Sequence, residues 1–317
     1  MRWLIALAFA AWCCDAQIAD KHSNVRPPRD EEDLRFWFEN MIWHHRFTTE
    51  EVSLATGLSP DAITGAQQRL AIDSGNRPAI AKTGKVRILP YPGGRHPRIG
   101  FLDGAVDPQR ETKISVFTPW DENSYAVIDL PEAIWCQHGL LYLAHTHVPT
   151  MWTKQGVTLE PLEWKRTTGT AGETRLQSER KLPNDVTFGA IAEPMTNAVR
   201  MELWLKNESH ETLRDLRVQN CVMLKGAAGF NQQTNENKVL SNPYVACRSS
   251  DGRRWIIIAW VPCHHPWANA PVPCLHSDPK FLDCAPGETK QLQGWLSFYE
   301  GTDLEGEIKR IEQTGWH

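Results

Sequence analysis

"AVRMELWLKNESHETLRDLRVQNCVMLK", residues 198–225, decides the fold. Val199, Met201, Leu203 and Leu205 alternate with Arg200, Glu202 and Trp204, so one face of an extended segment is apolar and the other is not. Asn207 leads a turn, and a second extended run follows it. Moving outward, "ISVFTPW", "YAVIDL", "LLYLAHTHV", "VTLEPLEW", "VTFGAIAEP" and "WIIIAWVP" are rich in β-branched and aromatic residues and are separated by turn residues. "RSSDGRRW" supplies a tight hairpin between "YVAC" and "WIIIAW", because Asp-Gly tolerates the positive backbone angles of such turns. Their number and spacing predict a mainly β chain, a large antiparallel β-sandwich or barrel.

A different texture precedes the strands. In "DEEDLRFWFENMIWHHRFTTEEVSLATGLSPDAITGAQQRL", Leu34, Trp37, Phe38, Met41 and Ile42 recur at helical spacing. A second helix starts at Thr48 or Thr49 and breaks at Gly57, and a third starts at Ser59 with Pro60 in the first helical position. Residues 17–78 therefore read as a small helical segment resembling a helix-turn-helix, and 79–317 as the β-sandwich domain. The formal net charge of -4 is spread without runs. With no basic recognition face, nucleic acid is not an expected partner, and the segment reads as a unit that docks on the sandwich.

Residues 1–16 read as a signal peptide: Arg2 precedes the apolar run Leu4 to Ala11, far short of the ~20 residues a membrane span needs. No other stretch is apolar enough to span. Lipidation at "AWCC" fits poorly, since Trp12 sits where a small residue is wanted. The expectation is a secreted or periplasmic protein. About 300 mature residues with 41% hydrophobic content are enough for one large domain and an appendage. Six cysteines remain beyond the signal: Cys136, Cys221, Cys247, Cys263, Cys274 and Cys284. An oxidising compartment invites disulfides, and at least one is expected among Cys263, Cys274 and Cys284. No CxxC pair is present, which disfavours a structural zinc site.

The order of residues 198–225, a strand, an Asn-led turn and a further strand, resembles the galactose-mutarotase-like (aldose epimerase-like) sugar-binding proteins. "CAPGETKQLQGWLSFYEG" is similar to that family's closing strands, with Pro286, Gly287 and Glu288 in the turn before the last long pair. "LHSDPKF" loosely matches the acidic loop ahead of it. The resemblance covers roughly residues 185–300 and implies a supersandwich-like fold with a sugar groove. It also implies a histidine after the Asn-led turn and a glutamate base before the PGE turn. Here those stretches read Gln219, Asn220, Cys221 and then His276, Asp278, so ordinary epimerase chemistry loses support and sugar binding does not.

In "LLYLAHTHVPTMW", residues 140–152, His145 and His147 share one face at the end of an apolar run. The cupin metal signature fails, because Met151 and Trp152 stand where its glutamate would. "VPCHHPW" reads as a Pro-rich loop carrying His264 and His265. "YPGGRHPRIGFLDGAVDPQRETK" packs Arg95, His96, Arg98, Asp103, Asp107 and Arg110 among glycines and prolines, a composition suited to placing charge around a ligand. The catalytic candidates are His145, His147, Asp103 and Asp278, by proton transfer. The substrate-binding candidates are Arg95, His96, Arg110, Trp152, His264, His265 and Trp267. For each residue, packing or a surface salt bridge is the competing reading, and most tryptophans belong to the core. No cofactor is expected; clustered histidines leave a transition metal as an alternative. A secreted carbohydrate-active hydrolase, lyase or epimerase and a non-catalytic carbohydrate-binding or cell-surface interaction protein both fit, as does a metal-dependent β-sandwich enzyme.

The exported chain is predicted to begin near Gln17. N-terminal sequencing of the periplasmic or secreted fraction checks this, and recovery of Met1 there refutes it.

Overall fold

In the computed structural model the described residues are 25–79, 84–99, 110–144, 150–157, 159–168 and 174–317. Residues 1–16, read from sequence as a signal peptide, lie outside them. Three helices come first: α1 (Glu31–Phe38), α2 (Thr49–Thr56) and α3 (Pro60–Leu70), with a π-helical turn, Glu39–His44, continuing α1. Their ends follow local chemistry. The Asp30 carboxylate caps α1, Thr48 and Glu51 form a reciprocal capping box on α2, and Ser59 caps α3 with Pro60 behind it. Gly57 ends α2 with a left-handed backbone, φ 75°.

The strands are β1 (Ile88–Pro90), β2 (Lys113–Phe117), β3 (Tyr125–Asp129), β4 (Ala133–Cys136), β5 (Gly139–Leu143), β6 (Lys165–Thr168), β7 (Thr174–Lys181), β8 (Val186–Pro194) and β9 (Ala198–Asn207). They continue as β10 (Val218–Gln219), β11 (Val222–Met223), β12 (Lys238–Ser241), β13 (Tyr244–Arg248), β14 (Arg254–Val261), β15 (Cys263–Asn269), β16 (Cys274–Pro279) and β17 (Thr289–Glu300). A short α4 (Met151–Lys154) lies between β5 and β6, and α5 (Leu304–Glu312) closes the chain. Among the described residues the pairings are antiparallel. They build an eight-stranded sheet, β12-β13-β14-β17-β9-β8-β7-β6, a six-stranded sheet, β1-β2-β3-β11-β16-β15, and a three-stranded sheet, β10-β4-β5.

Alternation along these strands makes the sandwich. Val199, Met201, Leu203 and Leu205 of β9, Leu292, Leu296 and Phe298 of β17, and Ile256, Ile258 and Trp260 of β14 face Ile114 and Val116 of β2, Ala126 and Ile128 of β3, Val222 and Leu275 in one buried core. The fit is close: a Cβ at Gly294 would meet the Trp260 ring at 2.6 Å, so the strand must carry glycine there. On the outer face of the eight-stranded sheet, Trp255, Ile257, Ala259 and Trp295 are covered by Ile311 of α5 and by Trp316.

Four sequence expectations change. "VPCHHPW" is not a loop but edge strand β15, where Pro266 is tolerated because an edge position need not donate to a ladder. "VTLEPLEW" forms no strand among its described residues; Pro161 lacks the donor a ladder needs. The run after the Asn-led turn splits into β10 and β11 in different sheets, because the Asn220 N–H leaves the ladder for the Asp278 carboxylate at 3.0 Å. Finally, Cys136, Cys221, Cys247, Cys263, Cys274 and Cys284 are all free thiols, so the disulfide expected among Cys263, Cys274 and Cys284 is absent. Those three are held apart on a strand start, a neighbouring strand and the turn at Leu213, and the backbone ladders already fix them.

The helices have their own apolar cluster, with Trp37, Phe38, Met41, Val52, Ile63 and Leu70 buried together. They dock on the outer face of the six-stranded sheet near β1 and β2. Asn40 Nδ2 donates to the Pro90 carbonyl at 3.0 Å, and buried His45 lies 2.9 Å from the Asn40 carbonyl through Nδ1 and 2.6 Å from Ser115 Oγ through Nε2. Burial holds His45 neutral, its pKa lowered from 6.5 to about 3, with the Arg95 charge acting in the same direction. The unfolded chain takes up a proton near pH 6.5 while the folded chain does not until about pH 3. Stability is therefore complete above 6.5 and falls as pH falls through that window, by up to about 1.4 kcal/mol per pH unit for this group. Thermal melts from pH 7 to 4 are expected to show a shallower decline in His45→Gln than in the parent; equal slopes refute the assignment.

Candidate functional site

The part of the six-stranded sheet's outer face beyond the helices gathers titratable side chains. Register aligns one row of side chains across five strands. Trp267 of β15 pairs with His276 of β16, and Lys113 of β2 pairs with Asp129 of β3. Between them, Val222 pairs with both Leu275 and Ile128. Carrying that register one residue further sets Cys221 between His276 and Asp129, and the Asp129 N–H donates to the Cys221 carbonyl at 2.9 Å. The row reads Trp267, His276, Cys221, Asp129, Lys113. Cys274 and Asp278 flank His276 at strand spacing, two residues to either side on the same face.

Each member is held. The Trp267 indole stacks on His276 with ring centroids 3.8 Å apart and planes 13° from parallel. Its Nε1 donates to Asp278 Oδ2 at 2.6 Å, while Asp278 Oδ1 accepts from Asn220 N and lies 3.5 Å from His276 Nδ1. The other imidazole nitrogen, Nε2, lies 3.2 Å from Cys274 Sγ. Burial pulls the His276 imidazolium down, but the neighbouring Cys221 and the hydrogen bond to Asp278 override it and hold the pKa at about 10. Burial pushes the Cys221 thiol up. Beside the row, Arg98 pairs with Glu132, whose Oε2 accepts from Gln219 Nε2 at 2.8 Å. Arg98 carries positive charge toward both Cys221 and Cys274, and that charge is stabilised in return.

Two groups of ligand atoms converge within 4.8 Å among the described residues: Cys221, Cys274 and His276, and Asp129, Glu132 and Cys221. Chemically the face offers a stacked indole–imidazole pair, a locked carboxylate, two thiols and two buried ion pairs.

Of the candidates from sequence, Asp278 and Trp267 meet at this centre, and His265 stands opposite Asp278 with its ring 6.1 Å from that of Trp267. His264 is exposed on the same strand. Others are placed elsewhere. Arg95 pairs with Glu51 at 2.7 Å, donates to Tyr125 Oη at 3.0 Å and lies over Phe47, tying its loop to the helices. Arg110 is buried over the Trp37 ring at 3.5 Å. Trp152 is buried in the sandwich core, donating to the Leu141 carbonyl at 2.7 Å. His96 accepts from Arg98 N at 3.0 Å, next to the face but turned to its own loop. His145, His147 and Asp103 lie outside the described residues. Sequence reasoning missed Lys113, Asp129, Glu132, Cys221 and Cys274. One signal was available: a lysine and an aspartate inside otherwise apolar strands, each on the parity that leaves the core.

No family description matches the sequence, and no curated protein does. Solved structures are similar in part. A candidate aldose 1-epimerase from Escherichia coli K12 shares 12% identity over 44% of this chain and 69% of its own, with TM-score 0.32. The Slr1438 protein of Synechocystis sp. PCC 6803 shares 11% over 62% and 91%, with TM-score 0.37. A candidate kojibiose phosphorylase from the human microbiome shares 10% over 74% of this chain but only 28% of its own, with TM-score 0.35. The first carries the family description that residues 185–300 resemble. Values this low carry no argument about what this chain does.

The Lys113–Asp129 pair, 2.8 Å long with both side chains 0% exposed, anchors the row. Removing one charge leaves the other buried without compensation. Asp129→Ala is expected to cost about 3–5 kcal/mol in chemical denaturation. The double variant Asp129→Leu, Lys113→Met is expected to recover most of that loss, and a single variant within about 1 kcal/mol of the parent refutes the anchoring role.

Proposed function

We propose that this protein binds a saccharide on the outer face of the six-stranded sheet and processes it by proton transfer, as a hydrolase, lyase or epimerase. The observation that carries the reading is the cross-strand row. Register on rigid strands brings an indole, an imidazole, carboxylates and, alongside, a guanidinium and an amide to one face. Sugars present hydroxyls that both donate and accept, next to apolar C–H patches. Planar fork-like groups beside an aromatic edge match both. Access is from edge strand β15, where His264 and His265 are exposed and Trp267 is half-buried; His276, Cys221, Asp129 and Lys113 behind them are buried.

Within this proposal Asp278 holds the reacting end of the face, and His265 and Trp267 meet the sugar first. Proton-transfer roles for His145, His147 and Asp103, and an exported location, belong to the same proposal and are tested separately by substitution and by fractionation.

A glycan array with the full chain, followed by calorimetric titration of the best ligand, tests it. Trp267→Ala and His265→Ala are expected to weaken binding at least tenfold with melting temperature nearly unchanged for His265→Ala. No glycan bound by the parent, or unchanged affinity in both variants, overturns the reading.

A further inference from the structure

We propose that Cys221, Cys274 and His276 bind one soft transition-metal ion, of the zinc or copper(I) class, at the centre of this face. The inference goes beyond the saccharide reading and does not require it. Its basis is geometric. The two Sγ atoms and the imidazole nitrogen lie within 4.8 Å of one another. A tetrahedral zinc ion, with bonds of about 2.3 Å to sulfur and about 2 Å to nitrogen, holds such atoms roughly 3.5–4 Å apart. Cys274 Sγ and His276 Nε2, 3.2 Å apart, therefore need to open slightly, and no ligand pair lies beyond 4.8 Å.

The imidazole is oriented as a metal-bound histidine is. Nδ1 faces the Asp278 carboxylate and Nε2 faces the sulfurs. A carboxylate behind a histidine orients the ring and raises the basicity of Nε2, whose lone pair bonds the metal once its proton is displaced. Asp278 is itself fixed by Trp267 Nε1 and Asn220 N, and the ring plane is fixed by stacking on Trp267. Strand register supplies the rest: Cys274 and His276 are two apart on β16, and Cys221 stands across from His276.

The donor set selects the metal class. Two thiolates and an imidazole suit zinc and copper(I), whereas magnesium and calcium want oxygen ligands. Binding a divalent ion displaces the two thiol protons and the proton carried by the His276 imidazolium, so charge is balanced as M2+ + 2 RSH + ImH+ → M(SR)2(Im) + 3 H+. Arg98 favours the Cys221 thiolate against the burial that raises that thiol. Asp129 and Glu132 form a second converging set with Cys221 and are themselves held by Lys113 and Arg98. The cluster is dry, with Cys221, Cys274 and His276 at 0%, 1% and 1% exposure, so an ion held there would exchange slowly.

The test uses the full chain, reduced, stripped with a chelator and titrated with cobalt(II), then zinc(II). One equivalent of cobalt is expected to give thiolate-to-cobalt charge transfer and the visible bands of a tetrahedral ion, bleached by one equivalent of zinc. Cys274→Ser and His276→Gln are each expected to weaken binding at least 100-fold and Asp278→Asn about 10- to 100-fold, while Cys247→Ser leaves it unchanged. Should a variant fail to fold, the denaturant dependence of alkylation in the parent decides: Cys221 and Cys274 are buried with or without metal, so zinc is expected to raise the denaturant concentration at which they react, while half-buried Cys263 reacts alike in both forms. Absence of charge transfer, an unchanged spectrum in Cys274→Ser, or a Cys221–Cys274 disulfide in peptide maps of native protein overturns the proposal. Glycan binding is measured in parallel on the metal-free and zinc-loaded parent. Glycan binding without metal binding removes only the metal site, and metal binding without any glycan removes only the saccharide reading.

Discussion

Antiparallel register is the constraint on which the structure depends. Strand side chains repeat every second residue, so a one-residue slip of β2, β3 or β16 would turn Lys113, Asp129 and His276 into the core and bring Ile114, Ile128 and Leu275 out to the face. Neither outcome is tolerable. Burying Lys113 and Asp129 among leucines and isoleucines would strand two charges at several kcal/mol each. The apolar set and the charged set thus enforce one alignment together, the first by burial and the second by pairing. The sheet that closes the sandwich is for the same reason the sheet that assembles the polar row.

The outer face of that sheet is divided. Over β1 and β2 the helical segment covers it, meeting Ser115 through His45 and Pro90 through Asn40. Beyond the helices, Cys221, Cys274, His276 and Asp278 occupy positions that are equally buried but polar. An antiparallel sheet needs only one apolar face, so the second is free to be specialised. Here one portion serves docking and the other gathers titratable groups, among them His276 and Cys221, whose pKa values are both raised. The Arg95 loop connects the two, because its guanidinium holds Glu51 of α2 and Tyr125 of β3 together.

Much of this was legible in the residues. Residues 198–225 announced an apolar-polar alternation, and β9 follows it. The caps at Asp30, Thr48 and Ser59 and the stop at Gly57 mark the helix ends where the sequence places them. Asp278 and Trp267 stood out as polar and aromatic groups near a turn, and the structure joins them by a hydrogen bond. Less could be read where a residue's partner is remote. Arg95 and Arg110 look like ligand-binding cations in a glycine- and proline-rich loop, yet each is satisfied by the helical segment more than 40 residues earlier. "VPCHHPW" has the composition of a loop, and only the ladder of β16 makes it a strand.

The sequence by itself determined the class of structure: periodicity of two makes strands that must bury one face, periodicity near 3.6 makes the helices, and local capping sets their ends. These are short-range properties, encoded within a few residues. The tertiary structure decided which strands are neighbours, and with that which side chains meet. Lys113 with Asp129, Cys221 with His276, and Trp267 with Asp278 are joined by pairings whose partners lie from eleven to more than fifty residues apart. No local pattern carries that information, because the energy selecting each pairing comes from burial of the whole opposite face.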